Sequence, residues 1–210
     1  MKRTTRRETT RAIGVLCSGN GSNLQAIVQA IRAGRLRRAR VAVVISDRAD
    51  ARALVRARRA GIPAYHVDPK ACAGREAFDR AVLRLLEDAG VRVVCLAGFM
   101  RLLSPVLVRR FPHRILNVHP ALLPAFPGAH AVRDALAWGA RVTGVTIHLV
   151  DEEMDHGPIL LQEALPVHPG ESSVHLLARL HRLEHRLYPR AIQLLLDGRV
   201  RVRGRVAHLT

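Results

Sequence analysis

The sequence predicts an α/β fold: a three-layer, mostly parallel, Rossmann-like sheet with helices on both faces, one antiparallel strand and a single domain. Three observations lead there. Continuous apolar runs of strand length alternate with amphipathic stretches of helix length, as in a parallel sheet covered on both faces. The connections between them are short and punctuated by Gly and Pro. Small and polar residues gather just after the apolar runs, at the carboxyl strand ends where such sheets bind ligands.

In chain order, Ala12 to Cys17 is an apolar strand, Ser18 to Ser22 a small-residue loop, and Asn23 to Ala33 a helix. Strand, Gly-containing loop and helix is the arrangement that turns backbone N–H groups and a helix N-terminus toward a phosphate. The loop is not G-x-G-x-x-G and no Walker lysine follows, so alone it is a weak signal. Val41 to Ser46 is a second strand, Ala51 to Ala60 a helix stopped by Gly61-Ile62-Pro63, and Ala64 to Val67 a short third strand. Arg75 to Ala89 is a helix ended by Gly90, and Val91 to Ala97 a fourth strand. Ser104-Pro105 reads as an N-cap with Pro at the first helical position. Ile115 and Leu116 lead a short strand into Asn117-Val118-His119-Pro120. Val142 to Val150 and Ile159 to Val167 form a returning, antiparallel pair whose loop carries Asp155. Ser172 to Leu196 is a long amphipathic helix with Pro189 inside it, capped by Ser172 or Ser173. Val200 to Thr210 is a basic, alternating tail or edge strand. The expected organisation is a basic disordered tail over 1–11, one domain over 12–200 and a basic tail over 201–210.

The composition agrees with one globular domain: 210 residues, 49% hydrophobic and 24% charged. No apolar run approaches the ~20 residues of a membrane span, and Met1 to Arg11 has no apolar segment of a signal peptide. Cys17, Cys72 and Cys95 lack metal-ligand spacing and suit a reducing cytoplasm. The net charge of +17 comes almost wholly from Arg, since only Lys2 and Lys70 are lysines. Those arginines are spread along the chain and aromatics are 3%. A nucleic-acid binder concentrates its charge and interleaves aromatics, so the field is assigned to attracting anionic small molecules.

Asn117 and His119 lie two apart on a strand and point the same way. An amide and an imidazole aimed at one spot suit a developing oxyanion. A turn-forming Asn and a hydrogen-bonded core His explain the same pair without any function, and an Asx turn before Gly157-Pro158 explains Asp155.

Four stretches decide between these readings: Val15 to Ile27, Leu96 to Leu103, Asn117 to Pro120, and Thr143 to His148 running on to Asp151–Pro158. Their order and spacing, from about Ala12 to about Val200, resemble the folate-dependent formyltransferases that act on glycinamide ribonucleotide. The resemblance implies that the substrate amine attacks the formyl carbon of 10-formyltetrahydrofolate, in de novo purine synthesis, with neither metal nor enzyme nucleophile. It implies Asn117, His119 and Asp155 as the catalytic trio, Asp155 favouring a His119 imidazolium. It implies Asn20, Gly21, Ser22 and Asn23 for the substrate phosphate and Glu184 for the ribose hydroxyls. On the folate side it implies Arg75, Met100, Arg101, Leu102, Leu103, Val108, His148 and Met154, with His130 near the site.

The chain departs from the family pattern at three positions: Ala121 replaces Ser, Ala125 replaces Lys, and His156 replaces Gly or Thr. A formyltetrahydrofolate deformylase-like hydrolase shares the trio, as does the tRNA formyltransferase, but both lack the Asn20–Asn23 loop in this form. An Arg-rich nucleic-acid-binding protein is the reading from another class. Monomer and homodimer are both open.

Overall fold

The structure is a computed structural model and is described for residues 10–210; most of the expected N-terminal tail lies outside them. The strands are β1 (Arg11–Cys17), β2 (Ala39–Ser46), β3 (Ala64–His66), β4 (Val93–Leu96), β5 (Ile115–His119), β6 (Val142–Leu149) and β7 (Ile159–Pro166). They form one seven-stranded sheet in the order β3-β2-β1-β4-β5-β6-β7. The strands from β3 to β5 are parallel, and β6 runs against both β5 and β7. The helices are α1 (Ser22–Arg32), α2 (Arg52–Arg59), α3 (Arg75–Asp88), α4 (Pro105–Arg110), α5 (Ala131–Ala137) and α6 (Ser173–Leu196).

Two hydrophobic layers follow from the two faces of the sheet. On one, α1 and α6 pack Leu24, Ile27, Leu180 and Ile192 against Val15, Val44 and Leu116. On the other, α3 and α4 pack Phe78, Val82, Leu86 and Leu107 against Leu16, Ile45, Val94 and Ile115. Odd and even positions of β1 thus serve opposite faces, the period-2 rule. Both faces are buried, which is why the sequence of these strands is continuously apolar.

Two details tie the helices to the sheet edge that carries the site. The Tyr188 hydroxyl lies 2.8 Å from Leu96 O, at the end of β4, and 2.9 Å from Leu116 O, near the start of β5. The wholly buried phenol therefore fixes α6 to two adjacent strands, and burial pushes its pKa well above the ordinary value. Helix α6 continues through Pro189 and is capped by Ser172, whose Oγ accepts from His175 N at 3.3 Å.

Ser104 does precede α4, with Pro105 at its first position, but its hydroxyl makes no cap bond. Its backbone N–H donates instead to the buried Asp79 carboxylate at 2.5 Å. Helix α5 was not anticipated, being only seven residues long and close behind a Pro/Gly-rich loop. The last ten residues, expected as a basic tail or edge strand, are paired: β8 (Val200–Arg203) and β9 (Val206–Leu209) form an antiparallel hairpin.

Candidate active site

The carboxyl ends of β1, β4 and β5 open onto two adjoining cavities. The larger, about 790 Å³, lies over the loop after β1, between the start of α1 and the face of α6. Gly21 is the residue before α1 and sits at φ 74, a left-handed conformation natural to Gly. A Cβ there would also lie 2.7 Å from Ala53 Cβ and 2.8 Å from Ala53 Cα. Glycine is thus required by backbone shape and by the approach of α2. Arg56 of α2 braces the same loop, donating to Asn20 O at 2.8 Å and Asn20 Oδ1 at 3.2 Å. The free N–H groups at the start of α1 face the cavity, with Arg48 on its rim.

Across this cavity stands Glu184, 4% exposed, accepting from Asn23 Nδ2 at 2.7 Å. Burial raises its pKa; the Asn23 bond and the His181 ring oppose that shift without cancelling it. A buried carboxylate with acceptor capacity to spare, facing a cavity, suits a pair of ligand hydroxyls. Asn20, Gly21, Ser22, Asn23, Glu184 and His130 all line this space.

The smaller cavity, about 200 Å³, runs from the loop after β4 to the loop between β6 and β7. Met100, Arg101, Leu102, Leu103, His148 and Met154 line it, with Asn117, His119 and Asp155 at its inner end. The Ser18 hydroxyl accepts from Met100 N at 2.9 Å, and Asp79 holds Ser104 N, so both ends of the 99–104 loop are pinned. Arg101 lies over the Phe78 ring, 4.9 Å from its centroid. An apolar slot edged by main-chain polar groups fits a flat heteroaromatic ring. Two expected residues are elsewhere. Val108 packs behind the slot in the core with Leu103, Leu107 and Phe111. Arg75 begins α3, exposed, and lines neither cavity.

Gly98, Met100, Val118, Pro120 and Ala129 line both cavities. The polar cluster stands beside this junction. Asp155 is brought there by a left-handed backbone, φ 52, in the loop that joins β6 to β7. Its Oδ2 accepts from Gly128 N at 2.7 Å and lies 3.3 Å from His119 Nδ1. Its Oδ1 accepts from Asn117 Nδ2 at 3.2 Å and lies 3.6 Å from His148 Nε2. His148 donates from Nδ1 to Leu149 O at 2.9 Å, leaving Nε2 to accept from Asn117 Nδ2 at 3.1 Å. Both Asn117 N–H groups are therefore engaged, and one must be traded to reach an oxyanion. Burial acts to raise the Asp155 pKa, but the His148 contact, the Gly128 N–H and the His119 and His148 rings outweigh it, so the carboxylate is held below its ordinary range.

His119 is under two opposing influences. Its Nε2 lies 2.8 Å from Phe126 O and carries a proton toward it. Burial pushes the imidazole below its ordinary pKa, the Asp155 carboxylate and the Phe126 carbonyl pull it partly back, and His148 adds to the lowering. The Asp155 carboxylate thus favours the imidazolium, as expected, while burial opposes it. Negative charge developing beside the ring adds to the carboxylate's effect.

Sequence reasoning missed the supports of this cluster. Thr146 donates to Ala121 O at 2.6 Å and accepts from Leu123 N at 3.1 Å and from Gln162 Nε2 at 2.9 Å. This buried knot holds the loop that presents Phe126 O and Gly128 N. Only the alternation of β6 and β7, which turns Thr146 and Gln162 inward, hints at it.

The two cavities meet where a group could pass from one ligand to another. Residues 11–192 match the formyl transferase family, and the chain belongs to it. Phosphoribosylglycinamide formyltransferase of Escherichia coli (strain K12) is 43% identical over 197 residues, covering 94% of this chain and 92% of that protein. The protein of the same name from Bacillus subtilis (strain 168) is 38% identical over 186 residues, covering 89% and 95%. The crystal structure of glycinamide ribonucleotide transformylase 1 from Symbiobacterium toebii superposes with a TM-score of 0.94 at 50% identity, covering 100% of this chain and 98% of that one.

Proposed function

We propose that this chain transfers the formyl group of 10-formyltetrahydrofolate to the amine of glycinamide ribonucleotide, a step of purine synthesis. The observation that carries the reading is the meeting of the two cavities beside Asn117, His119 and Asp155. One cavity has a helix N-terminus for a phosphate and Glu184 for ribose hydroxyls; the other has an apolar slot for a pterin-like ring. A phosphorylated amine and a formyl donor placed in them bring nucleophile and electrophile together at the junction. The amine is itself a competent nucleophile, so the protein supplies positioning, charge stabilisation and a proton route.

In this reading Asn117 and His119 stabilise the oxygen that gains charge as the amine adds. The imidazolium form of His119, which Asp155 favours, donates most strongly to that oxygen as its charge develops, so the interaction is strongest in the transition state. Asp155 supports the ring and orders proton transfer from the attacking nitrogen to the leaving one. Met100 to Leu103 and Met154 cover the donor ring, with Arg101 and His148 at its edge; Arg75 acts from outside the slot through its charge. No described helix is long and apolar enough to cross a membrane; we place the reaction in the cytoplasm, beside the soluble folate and nucleotide pools. The domain that performs it is taken as 12–200.

The test is an assay with glycinamide ribonucleotide and 10-formyl-dideazafolate, following the absorbance change on deformylation. Deformylation should require the ribonucleotide and proceed unchanged in EDTA, without ATP. Full-speed deformylation without the amine would make the chain a hydrolase instead.

A further inference from the structure

The C-terminal hairpin has no part in the chemistry above, yet its turn touches the loop that carries Asp155. Arg205 stands in that turn, between β8 and β9, with its side chain exposed along its course. Its Nη2 donates to the main-chain carbonyl of His156 at 2.6 Å. Its Nη1 meets the His156 ring at Nε2 and lies 3.2 Å from Nδ1. The same Nδ1 is 2.8 Å from Asp151 Oδ2, with Glu153 Oε1 at 3.9 Å. With the Nδ1 proton given to Asp151, Nε2 keeps its lone pair for the arginine. Asp151, His156 and Arg205 thus form a chain of contacts across the base of the loop.

The residue gripped is the one directly after Asp155. Asp155 holds φ 52, a region uncommon for residues other than Gly and kept only where the surroundings enforce it. Two features enforce it from the C-terminal side. Gly157 is packed so closely that a Cβ would lie 1.9 Å from Leu149 O. Arg205 fixes the orientation of the intervening peptide through its carbonyl. Elsewhere in the loop, Glu152 pairs with Arg109 at 2.8 Å across exposed surface and Glu153 N donates to Asp151 Oδ1 at 3.0 Å. Of the two arginine contacts, the one to the carbonyl is independent of the side chain at position 156. The one to the ring depends on His156.

We infer that Arg205 is a positioning residue for formyl transfer: the C-terminal hairpin clamps the His156 peptide and thereby holds Asp155 against His119, Asn117 and the Gly128 N–H. The inference rests on the function proposed above for Asp155. Its consequence is that the last ten residues set the geometry of a centre to which they contribute no reacting atom. Loss of the clamp frees the loop, so that Asp155 reaches its partners only part of the time. That lowers turnover and loosens the slot on the Met154 side, while the phosphate loop stays as it was.

The test compares Arg205→Ala and Arg205→Lys with the wild-type chain. Arg205→Ala should lower kcat about tenfold and raise KM for the formyl donor a few-fold, with KM for the ribonucleotide and thermal stability unchanged. Arg205→Lys should recover part of kcat, since an ammonium still donates to the carbonyl but loses the guanidinium's second contact to the ring. Amide hydrogen exchange supplies a readout independent of activity: the 150–158 segment should exchange faster in Arg205→Ala, and the 20–25 segment should not. Unchanged exchange at 150–158, or an equal rise in both Michaelis constants, would overturn the clamp. So would a Lys variant as impaired as the Ala variant. If the wild-type chain transferred no formyl group, the proposed function would fall on its own, and faster exchange in Arg205→Ala would still uphold the clamp on the loop.

Discussion

The two cavities are built on different plans. The larger depends on backbone: consecutive residues after β1, a left-handed Gly21 locked onto Ala53, and the first turn of α1. Arg56 braces it from one neighbouring helix. The inner end of the smaller cavity depends on side chains from separate segments. Asn117 and His119 come from β5, His148 from β6, Asp155 from the loop beyond it, and Gly128 N and Phe126 O from a loop between β5 and α5. The difference separates the two tasks. Holding a dianionic phosphate needs a fixed array of N–H dipoles, which one stretch of chain can provide. Stabilising charge that appears only during reaction needs groups whose protonation can change, and these must converge from several elements.

The largest expected effect falls on the side-chain centre. His119→Ala should lower kcat by about 10²–10⁴-fold, the usual range for a general acid–base group, with KM for the ribonucleotide nearly unchanged. Steady-state kinetics with both substrates varied checks the split; a rise in that KM as large as the fall in kcat would assign His119 to ground-state binding instead.

Glu184→Gln probes the other cavity. A hydrogen bond to a charged group contributes about 1.5–3 kcal/mol, so KM for the ribonucleotide should rise at least about tenfold with the formyl-donor KM unchanged. The same variant should gain stability without ligand. The folded-state pKa of Glu184 is raised by burial, so the native chain binds its proton more tightly than the unfolded chain does. Stability is then lost as pH rises from the unfolded carboxyl value through the folded one. Thermal melts of Glu184→Gln and wild type should therefore diverge with rising pH, the variant melting higher. Parallel melts across that range would show that the buried carboxylate carries no such cost.

Gly21→Ala should be milder in binding but visible in stability. The left-handed backbone and the contact with Ala53 together cost about 1–3 kcal/mol, read as a lower Tm and a several-fold higher ribonucleotide KM. An unchanged Tm would mean that α2 yields freely. Smallest of all, Arg75→Ala should change the formyl-donor KM about fivefold or less, in keeping with exposed charges. A larger loss would place Arg75 in direct contact with the donor.

The same contrast explains what was legible in the sequence. The parallel half of the sheet could be read because both its faces are buried, leaving Val41 to Ile45 and Val93 to Ala97 as unbroken apolar runs. The loop after β1 was legible because its residues are contiguous. Asn117 and His119 were legible as a pair two apart on a strand, whereas Asp155 entered through the family pattern alone. What could not be read lies in long-range contacts: Tyr188 on two strand carbonyls, Asp79 on Ser104 N, Thr146 with Gln162 under the loop. The environment of His119 was legible only in part. A sequence shows a carboxylate partner but not the burial that opposes it. Val108 was misplaced likewise, since an apolar residue beside a pocket and one behind it have the same signature.

The central claim is that Asp155 and His119 act as one unit in turnover. A double-mutant cycle of Asp155→Asn, His119→Ala and the pair tests it directly, with kcat measured at saturating substrates and thermal stability as a control. Asp155→Asn keeps the size of the side chain and removes its charge, and alone it should lower kcat at least about 10²-fold. If the two residues work together, the double variant should be within a few-fold of the worse single variant. Losses that multiply, or an Asp155→Asn enzyme within a few-fold of wild type at unchanged stability, would contradict it.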